Sequence, residues 1–334
     1  MTALPLTARP HRPLRTSALA GAVLLGVTAC AGGSAEDTAA ADGLTVVTTT
    51  SVYADIVREV GGDAVVVDPV IDSTAQDPHS YEATAQDRLA VENADLVVLN
   101  GGGYDAFMED LAGAGQTPVV EAYEVSGHAG QAEEEAAEPH EGHEHEEHEH
   151  GGANEHVWYD LDAMDEVATA VADRLAELDA DGASEYRSNA DAFSDRLDAL
   201  KQRISETPAD NAAFVATEPV AVYLLEDAGL HDDTPAEFTA AVENGTDVPP
   251  LVLRRVREEL QDGHVQLLAF NAQTSSGQTE QLRDDARAAG AAVVEFTETL
   301  PEGTSYLEWM DQNVTAVTEA LTSLRPTTSG TAAG

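Results

Sequence analysis

The sequence has a single cysteine and few basic residues, and each shortage excludes a class of protein. One cysteine cannot form a disulfide within the chain, so the stability of the fold must come from a hydrophobic core. Only 16 lysines and arginines stand against 62 aspartates and glutamates, which gives a formal net charge of -46 at pH 7. A surface this negative repels phosphate backbones and anionic lipid head groups. Nucleic acid and anionic lipid are therefore poor partners for this protein.

The first 30 residues have the pattern of an export signal. Three arginines precede a run of small and aliphatic residues that is too short to span a bilayer as a stable anchor. The run ends in Val-Thr-Ala-Cys at Cys30, which resembles a bacterial lipobox. We therefore expect residues 1–30 to be a lipoprotein signal peptide with Cys30 lipidated, and the small, polar residues 31–43 to be a flexible tether. The protein would be lipid-anchored to the outer face of the cytoplasmic membrane; a simple secretory signal is the alternative.

From residue 44 onward, apolar runs of strand length alternate with amphipathic helical patterns. The runs are LTVVTTT, DAVVVDPVI, DLVVLNGGG and TPVVEAY in the first part, and NAAFVAT, VQLLAFN and AAVVEFT in the last part. Such alternation predicts mostly parallel sheets that helices cover on both faces. Between the two parts, residues 161–205 carry two apolar stripes of helical period and predict one long bridging helix.

The predicted fold is therefore α/β with two lobes, each a mostly parallel sheet flanked by helices, joined by one long rigid bridging helix. The N-terminal lobe takes residues 44–160, the bridging helix residues 161–205 and the C-terminal lobe residues 206–325. The 291 residues from 44 to the end are enough for two lobes with real cores.

Four side chains that could bind a metal stand at predicted loop positions. Ligands of open α/β sheets bind beyond the carboxyl ends of the strands. His79, Glu218 and Glu298 each come after a predicted strand, and His156 stands directly before the bridging helix. Two imidazoles and two carboxylates could enclose one zinc, manganese or iron ion between the lobes. Spacing alone leaves the alternatives open, because a loop histidine is more often a cap and a loop glutamate is often a surface acid.

Longer stretches of the chain resemble a known family. The segments DPHSYEATAQDRLAVENADLVVLNGGGYDAF, NEHVWYDL, LDADGASEYRSNADAFSDRLDAL, ATEPVAVYLLEDAGL and EFTETLPEGTSYLEWM resemble, in this order, the metal-specific solute-binding lipoproteins of bacterial zinc and manganese ABC importers. In that family two histidines, a histidine or glutamate, and an acid near the last strand bind the ion. The resemblance implies these roles for His79, His156, Glu218 and Glu298. It also implies a membrane permease as the partner, a divalent metal ion as the cargo, and a monomer.

The resemblance does not decide between zinc and manganese. Zinc-type members usually have histidine where this chain has Glu218, and glutamate there resembles the manganese type. The last acid of the family is commonly aspartate, whereas this chain has Glu298, and Asn271 stands where relatives often carry an acid. We expect Zn²⁺ as the bound ion, with Mn²⁺ as the alternative.

A run of histidines and glutamates lies between the N-terminal lobe and His156. Residues 128–152 lack the apolar residues of a core, so we expect a disordered loop. Zinc-type relatives have a similar loop, which implies an auxiliary role in collecting or sensing zinc. Its histidines are His128, His140, His143, His145, His148 and His150. The alternative is a solvated loop without function.

Two other classes of function stay open. A zinc enzyme is disfavoured, because the sequence has no HExxH motif and four protein ligands leave no open position for an activated water. An adhesin or structural lipoprotein, for which the cleft would be incidental, is the second alternative. We expect a binding protein without enzymatic activity.

Overall fold

The structure is a computed structural model, and it describes residues 43–129, 154–209 and 211–324. The predicted signal peptide with Cys30, the tether up to residue 42 and the His/Glu run beyond residue 129 lie outside the described residues. Among the residues described, no helix combines the length and apolar composition that a membrane span requires.

The first lobe is a parallel four-stranded sheet in the order β2-β1-β3-β4. Its strands are β1 (Leu44–Thr50), β2 (Val65–Ile71), β3 (Leu96–Leu99) and β4 (Val119–Glu121). Its helices are α1 (Ser51–Gly61), α2 (Ala85–Asn93), α3 (Ala106–Gly113) and α4 (Ala122–Val125). All residues of β3 are buried, as expected for a Leu-Val-Val-Leu run that helices cover on both faces.

The second lobe repeats this topology with the strand order β6-β5-β7-β8, also parallel. Its strands are β5 (Ala213–Ala216), β6 (His231–Asp232), β7 (Val265–Asn271) and β8 (Ala292–Phe296). Its helices are α7 (Val222–Asp227), α8 (Ala236–Glu243), α9 (Pro250–Gln261), α10 (Gly277–Ala289) and α11 (Tyr306–Leu324). The prediction of two α/β lobes with parallel sheets is confirmed; the short edge strand β6 and helix α8 were not predicted.

The segment between the lobes corrects the prediction of a single helix over residues 161–205. It contains two helices, α5 (Leu161–Leu178) and α6 (Ala183–Ser205), which pack against each other as a hairpin. Two ion pairs across the hairpin show that the helices are antiparallel, because Lys201 Nζ lies 2.7 Å from Asp162 Oδ1 and Arg187 lies 3.2 Å from Asp173 Oδ1.

The hairpin turns where α5 reaches Asp179, whose backbone leaves the helical region at φ -132° and ψ 93°. The Tyr186 hydroxyl donates to Asp179 Oδ2 at 2.7 Å and closes the turn. Gly182 makes this closure possible, since a Cβ there would lie 2.6 Å from both the Tyr186 hydroxyl and the Asp179 carboxylate. The two apolar stripes therefore face each other across a hairpin instead of following one another along a helix.

The bridge nevertheless shares one hydrophobic core with both lobes. A single buried apolar cluster runs from the first sheet through the hairpin to helix α11. Helix α11 of the second lobe also begins against the first lobe, where the Tyr306 backbone N–H donates to Asp55 Oδ2 of α1 at 2.7 Å. The lobes are thus held together through α6 and α11, which pack against each other and against α1 of the first lobe.

Candidate metal centre

His79 is presented by a tight turn after β2. A 3₁₀ turn at Pro78–Ser80 begins at Asp77, whose carboxylate accepts from the His79 backbone N–H at 3.0 Å and from the Ser80 hydroxyl at 2.8 Å. The imidazole packs edge-on against the Tyr104 ring, with a centroid distance of 4.8 Å. Its side chain is 27% exposed, so it is the part of the site that solvent reaches.

His156 is fully buried and is oriented by a neighbouring amide. Its Nδ1 lies 2.7 Å from Asn154 Oδ1, and this oxygen also accepts from the His156 backbone N–H at 3.1 Å. Because an amide oxygen only accepts, Nδ1 carries the proton and Nε2 presents its lone pair. Burial, and then the neighbouring His79, hold the pKa of His156 well below its usual value. Among the described residues, Nε2 has no hydrogen-bond partner.

Two buried carboxylates enter from the second lobe. Glu218 follows β5 and Glu298 follows β8, and they are 7% and 0% exposed. The amide nitrogen of Asn271, the last residue of β7, donates to both, at 2.8 Å to Glu298 Oε1 and also to Glu218 Oε2. Thr274 adds a hydroxyl bond to Glu218 at 2.5 Å. Asn271 therefore connects the two carboxylates.

Both carboxyls bind protons more strongly than an exposed glutamate does. Burial is the largest cause, and it raises the pKa of Glu218 to about 7 and the pKa of Glu298 to about 7. The Asn271 amide opposes this rise at each carboxyl, since a hydrogen bond to a carboxylate stabilises the charged form. In the absence of a cation, the pair is thus partly protonated near neutral pH.

The first lobe reaches the second through a glycine turn after β3. The glycines at 101–103 all have positive φ, and a Cβ on Gly102 would lie 2.8 Å from the Tyr123 ring. The turn leads into Tyr104, whose buried hydroxyl donates to Glu298 Oε2 at 3.1 Å. This hydrogen bond joins residues that are 194 positions apart and that belong to different lobes.

The four residues that the sequence singled out converge on this cleft. His79 Nε2 lies 3.6 Å from Glu298 Oε2, and the His79 and His156 ring centroids lie 5.7 Å apart. Glu218 is connected to Glu298 because the Asn271 amide nitrogen donates to both carboxylates. Two imidazoles and two carboxylates with converging nitrogen and oxygen atoms are a donor set for a divalent transition metal.

Sequence reasoning missed two acids at the site. A carboxylate oxygen of Glu155, a ring nitrogen of His79 and a ring nitrogen of His156 all lie within 4.8 Å of one another. Glu243, on the unpredicted helix α8, lines a cavity of about 520 Å³ that also borders His79 and Glu218. Although Glu243 is an exposed residue, the partial loss of solvent around its carboxyl, and then the nearby Glu155, raise its pKa to about 8. Glu155 could have been found from its position directly before His156, whereas Glu243 gave no local signal.

The predicted His/Glu loop begins later than residue 128. His128 is packed at the start of the bridge, where its Nε2 lies 2.9 Å from Asp160 Oδ2. Its ring also lies over Tyr223 of the second lobe, with a centroid distance of 4.6 Å. His128 is therefore an ordered residue of the boundary between the lobes. The other five histidines of the run lie outside the described residues.

Known proteins share both the sequence pattern and the fold. The manganese ABC transporter substrate-binding lipoprotein PsaA of Streptococcus pneumoniae is 25% identical over 314 residues, which cover 88% of this chain and 94% of PsaA. The periplasmic zinc binding protein TroA from Treponema pallidum has a TM-score of 0.66 at 21% identity, covering 84% of this chain and 99% of TroA. The SBP FpvC from Pseudomonas aeruginosa, in complex with Mn²⁺, has a TM-score of 0.65 at 24% identity with the same coverage.

A family model extends this likeness over most of the sequence. The model described as zinc-uptake complex component A periplasmic matches residues 46–320, from the first strand to the last helix. The match includes both lobes, the helical hairpin and all four residues of the cleft. The protein therefore belongs to the zinc-uptake complex component A periplasmic family.

Proposed function

We propose that this protein captures one divalent transition metal outside the cytoplasm and delivers it to the membrane permease of an ABC importer. Its ligands are His79, His156, Glu218 and Glu298. The observation that carries the proposal is the His156 Nε2 atom, which is buried and has no partner among the described residues while its other nitrogen is held by Asn154. A buried imidazole nitrogen without a partner costs free energy, and a bound cation removes that cost.

The spacing of the donor atoms supports a bound ion. Two ligand atoms that each lie about 2.1 Å from a tetrahedral zinc ion are about 3.4 Å apart. His79 Nε2 and Glu298 Oε2 are separated by 3.6 Å, so one ion fits between them after a small adjustment. Asn154 holds the tautomer of His156, as the outer partners of metal-binding histidines commonly do.

Zinc is the metal that this proposal favours. Zinc binds nitrogen and oxygen sites more tightly than manganese does. Glu218 takes the place of a third histidine, and its carboxylate makes the donor set harder, which favours manganese. Manganese is also the metal in the name of the relative PsaA. Manganese is therefore the second candidate.

The remaining roles follow from the same proposal. Lipidation at Cys30 would keep the protein beside the permease on the outer face of the cytoplasmic membrane, in keeping with the word lipoprotein in the relative's name. The five histidines between residues 140 and 150 would collect zinc near the cleft, since clustered imidazoles bind borderline metals. We also propose that the protein acts without catalysis, because four protein ligands fill the tetrahedral positions of the ion.

Metal analysis of protein purified without chelator tests the proposal. One equivalent of tightly held zinc should remain through dialysis in the unmodified chain and be lost in both His79→Ala and His156→Ala. Two carboxylates alone hold a borderline ion poorly against water. Retention of the tight equivalent by both variants would exclude this site, and turnover of a substrate by the zinc-loaded protein would point to an enzyme instead.

A further inference from the structure

The carboxylate of Glu155 lies beside the two histidines but does not belong to the four-residue site. One of its oxygens and ring nitrogens of His79 and His156 all lie within 4.8 Å of one another. All three residues belong to the first lobe and its junction with the bridge. The first lobe therefore has a complete three-ligand set of its own, without Glu218 or Glu298.

Glu155 has no basic partner among the described lysines and arginines, and only its own backbone N–H and the neighbouring His79 favour its charged form. No lysine or arginine of residues 43–129, 154–209 and 211–324 forms an ion pair with its carboxylate, and no side chain of these residues donates a hydrogen bond to it. A partly buried carboxylate without such partners is costly. The buried His156 Nε2, which lacks a partner among the same residues, is part of the same cluster. Both groups present lone pairs to the same space, so one cation satisfies them together.

The backbone holds Glu155 firmly in this place. Its carbonyl accepts from Asn100 Nδ2 at 3.0 Å and from the Val157 backbone N–H at 2.8 Å. The preceding residue, Asn154, donates from its amide nitrogen to the Pro219 carbonyl of the second lobe at 2.8 Å. The backbone at Glu155 is thus held from both lobes, which confines its carboxylate to the neighbourhood of the two histidines.

Glu155 also faces a different cavity from Glu218. It lines a cavity of about 410 Å³ whose wall includes the two glycines Gly102 and Gly103. Glu218 lines the cavity of about 520 Å³ that borders His79. Glu243 borders both cavities and contributes a carboxyl group to each.

We propose that Glu155 is a fifth metal ligand, which with His79 and His156 forms a first-lobe capture site that takes the ion before Glu218 and Glu298 bind it. This inference rests on the proposed function. The two histidines belong to both ligand sets, so the ion keeps two nitrogen bonds while second-lobe carboxylates displace the Glu155 oxygen. The ion never has to return to water during the transfer. Three protein ligands also leave coordination positions for water, which makes the first set the more readily exchanged one.

Zinc binding by full-length variants tests the inference. The double variant Glu218→Gln/Glu298→Gln removes the second-lobe carboxylates and isolates the capture site. The affinity is measured by chelator competition with tryptophan fluorescence as a local signal, because the Trp158 ring centroid lies 5.1 Å from that of His156. We expect the double variant to bind zinc more weakly than the unmodified chain, and an added Glu155→Gln to lower this residual affinity by at least about tenfold.

Glu243→Gln in the double variant is the matched control. It removes a carboxyl group from a residue that lines the same cavity, so a non-specific effect of losing an acid there would lower the affinity equally in both triple variants. Glu155→Asp should keep more of the affinity than Glu155→Gln does, because it retains a carboxylate. Equal affinities with Glu155→Gln and Glu243→Gln would overturn the inference, as would a double variant that binds no zinc at this site. If the unmodified chain itself bound no zinc or manganese, the proposed function would fail instead.

Discussion

His79 Nε2 of the first lobe lies 3.6 Å from Glu298 Oε2 of the second lobe. The two atoms come from loops 219 positions apart in sequence, and the shared core of the lobes and the helical hairpin keeps those loops opposite each other. A cation between them is bound by both lobes at once. The proposed metal centre is therefore a property of the assembled protein and of neither lobe alone.

Asn154 should act on the metal by holding the tautomer of His156. Its side-chain oxygen fixes the proton on Nδ1 and leaves Nε2 available, so Asn154→Ala should lower zinc affinity about 10- to 100-fold while the four ligands stay in place. Asn93→Ala is the control, because the exposed Asn93 amide bonds only to the Leu89 carbonyl in its own helix. A competition titration in which both variants match the unmodified chain would show that the tautomer is not held by Asn154.

Metal affinity should fall as the pH drops from 8 to 6. Glu218 and Glu298 each have a pKa raised to about 7, so both are largely ionised at pH 8 and largely protonated at pH 6 in the metal-free protein. The ion must displace these protons, which lowers the affinity by about 10- to 100-fold over this interval. His156 contributes little, since its pKa is already lowered and it is neutral.

Calorimetry at pH 7 in buffers of different ionisation enthalpy measures this linkage. About one proton should be released for each ion bound, because each carboxyl is about half protonated at its pKa. The variant Glu218→Gln lacks one of the two titrating carboxyls, so it should release fewer protons for each ion bound. An affinity that stays constant between pH 8 and 6 would contradict the assignment of these two carboxylates as ligands.

Asn271 should stabilise the metal-free protein. Replacing its amide by a carboxylate in Asn271→Asp removes the donor shared by Glu218 and Glu298 and adds a third negative charge. We expect about 2–3 kcal/mol of lost stability at pH 8, seen as a decrease in Tm of about 4–6 °C. Saturating zinc should recover part of the loss. Asn244→Asp, at an exposed position whose amide bonds to the Ala240 carbonyl, should change the Tm by much less; equal decreases would exclude the bridging role.

Zinc should bind the unmodified chain more tightly than manganese does. Intrinsic affinity favours zinc at almost any site of nitrogen and oxygen ligands, and Glu218→His should widen the difference by adding a third imidazole in near-tetrahedral geometry. Side-by-side titrations with the two metals provide the comparison. Tighter binding of manganese by the unmodified chain would identify manganese as the cargo, and the His/Glu run would then need another role.

Deleting residues 130–152 should leave the tight site intact. His79, His156, Glu218 and Glu298 all lie outside the deleted residues, and His128 is kept because it packs against Asp160. Calorimetry with zinc should show the tightest equivalent unchanged and the weaker equivalents lost. Loss of the tightest equivalent would mean that histidines of the deleted segment are its ligands.

The sheets could be predicted from the sequence because their strands are short apolar runs bounded by helices, a pattern in which local preference and tertiary burial agree. The hairpin could not be predicted, since Asp179 and Gly182 interrupt a helical period that continues on both sides. Only the closure of Tyr186 on Asp179 reveals the turn. Periodicity identifies which faces are apolar. It does not show whether two apolar stripes lie along one continuous helix or face each other across a helical hairpin.

The site was predictable where a motif carries its chemistry. His79 and His156 stand in recognisable local sequences, and Glu218 and Glu298 follow strands. Tyr104 was missed because its hydroxyl meets Glu298, 194 positions further along the chain, only in the folded protein. Asn154, which precedes His156 by two positions, was missed because its role depends on side-chain geometry rather than on spacing.

The most direct test of the metal centre is an anomalous-scattering map, recorded at the zinc absorption edge, from crystals of the full-length protein loaded with one equivalent of zinc. We expect one dominant peak between the lobes, about 2.0–2.2 Å from nitrogen atoms of His79 and His156 and from carboxylate oxygens of Glu218 and Glu298. A dominant peak elsewhere, or one that lacks either histidine among its ligands, would contradict the account.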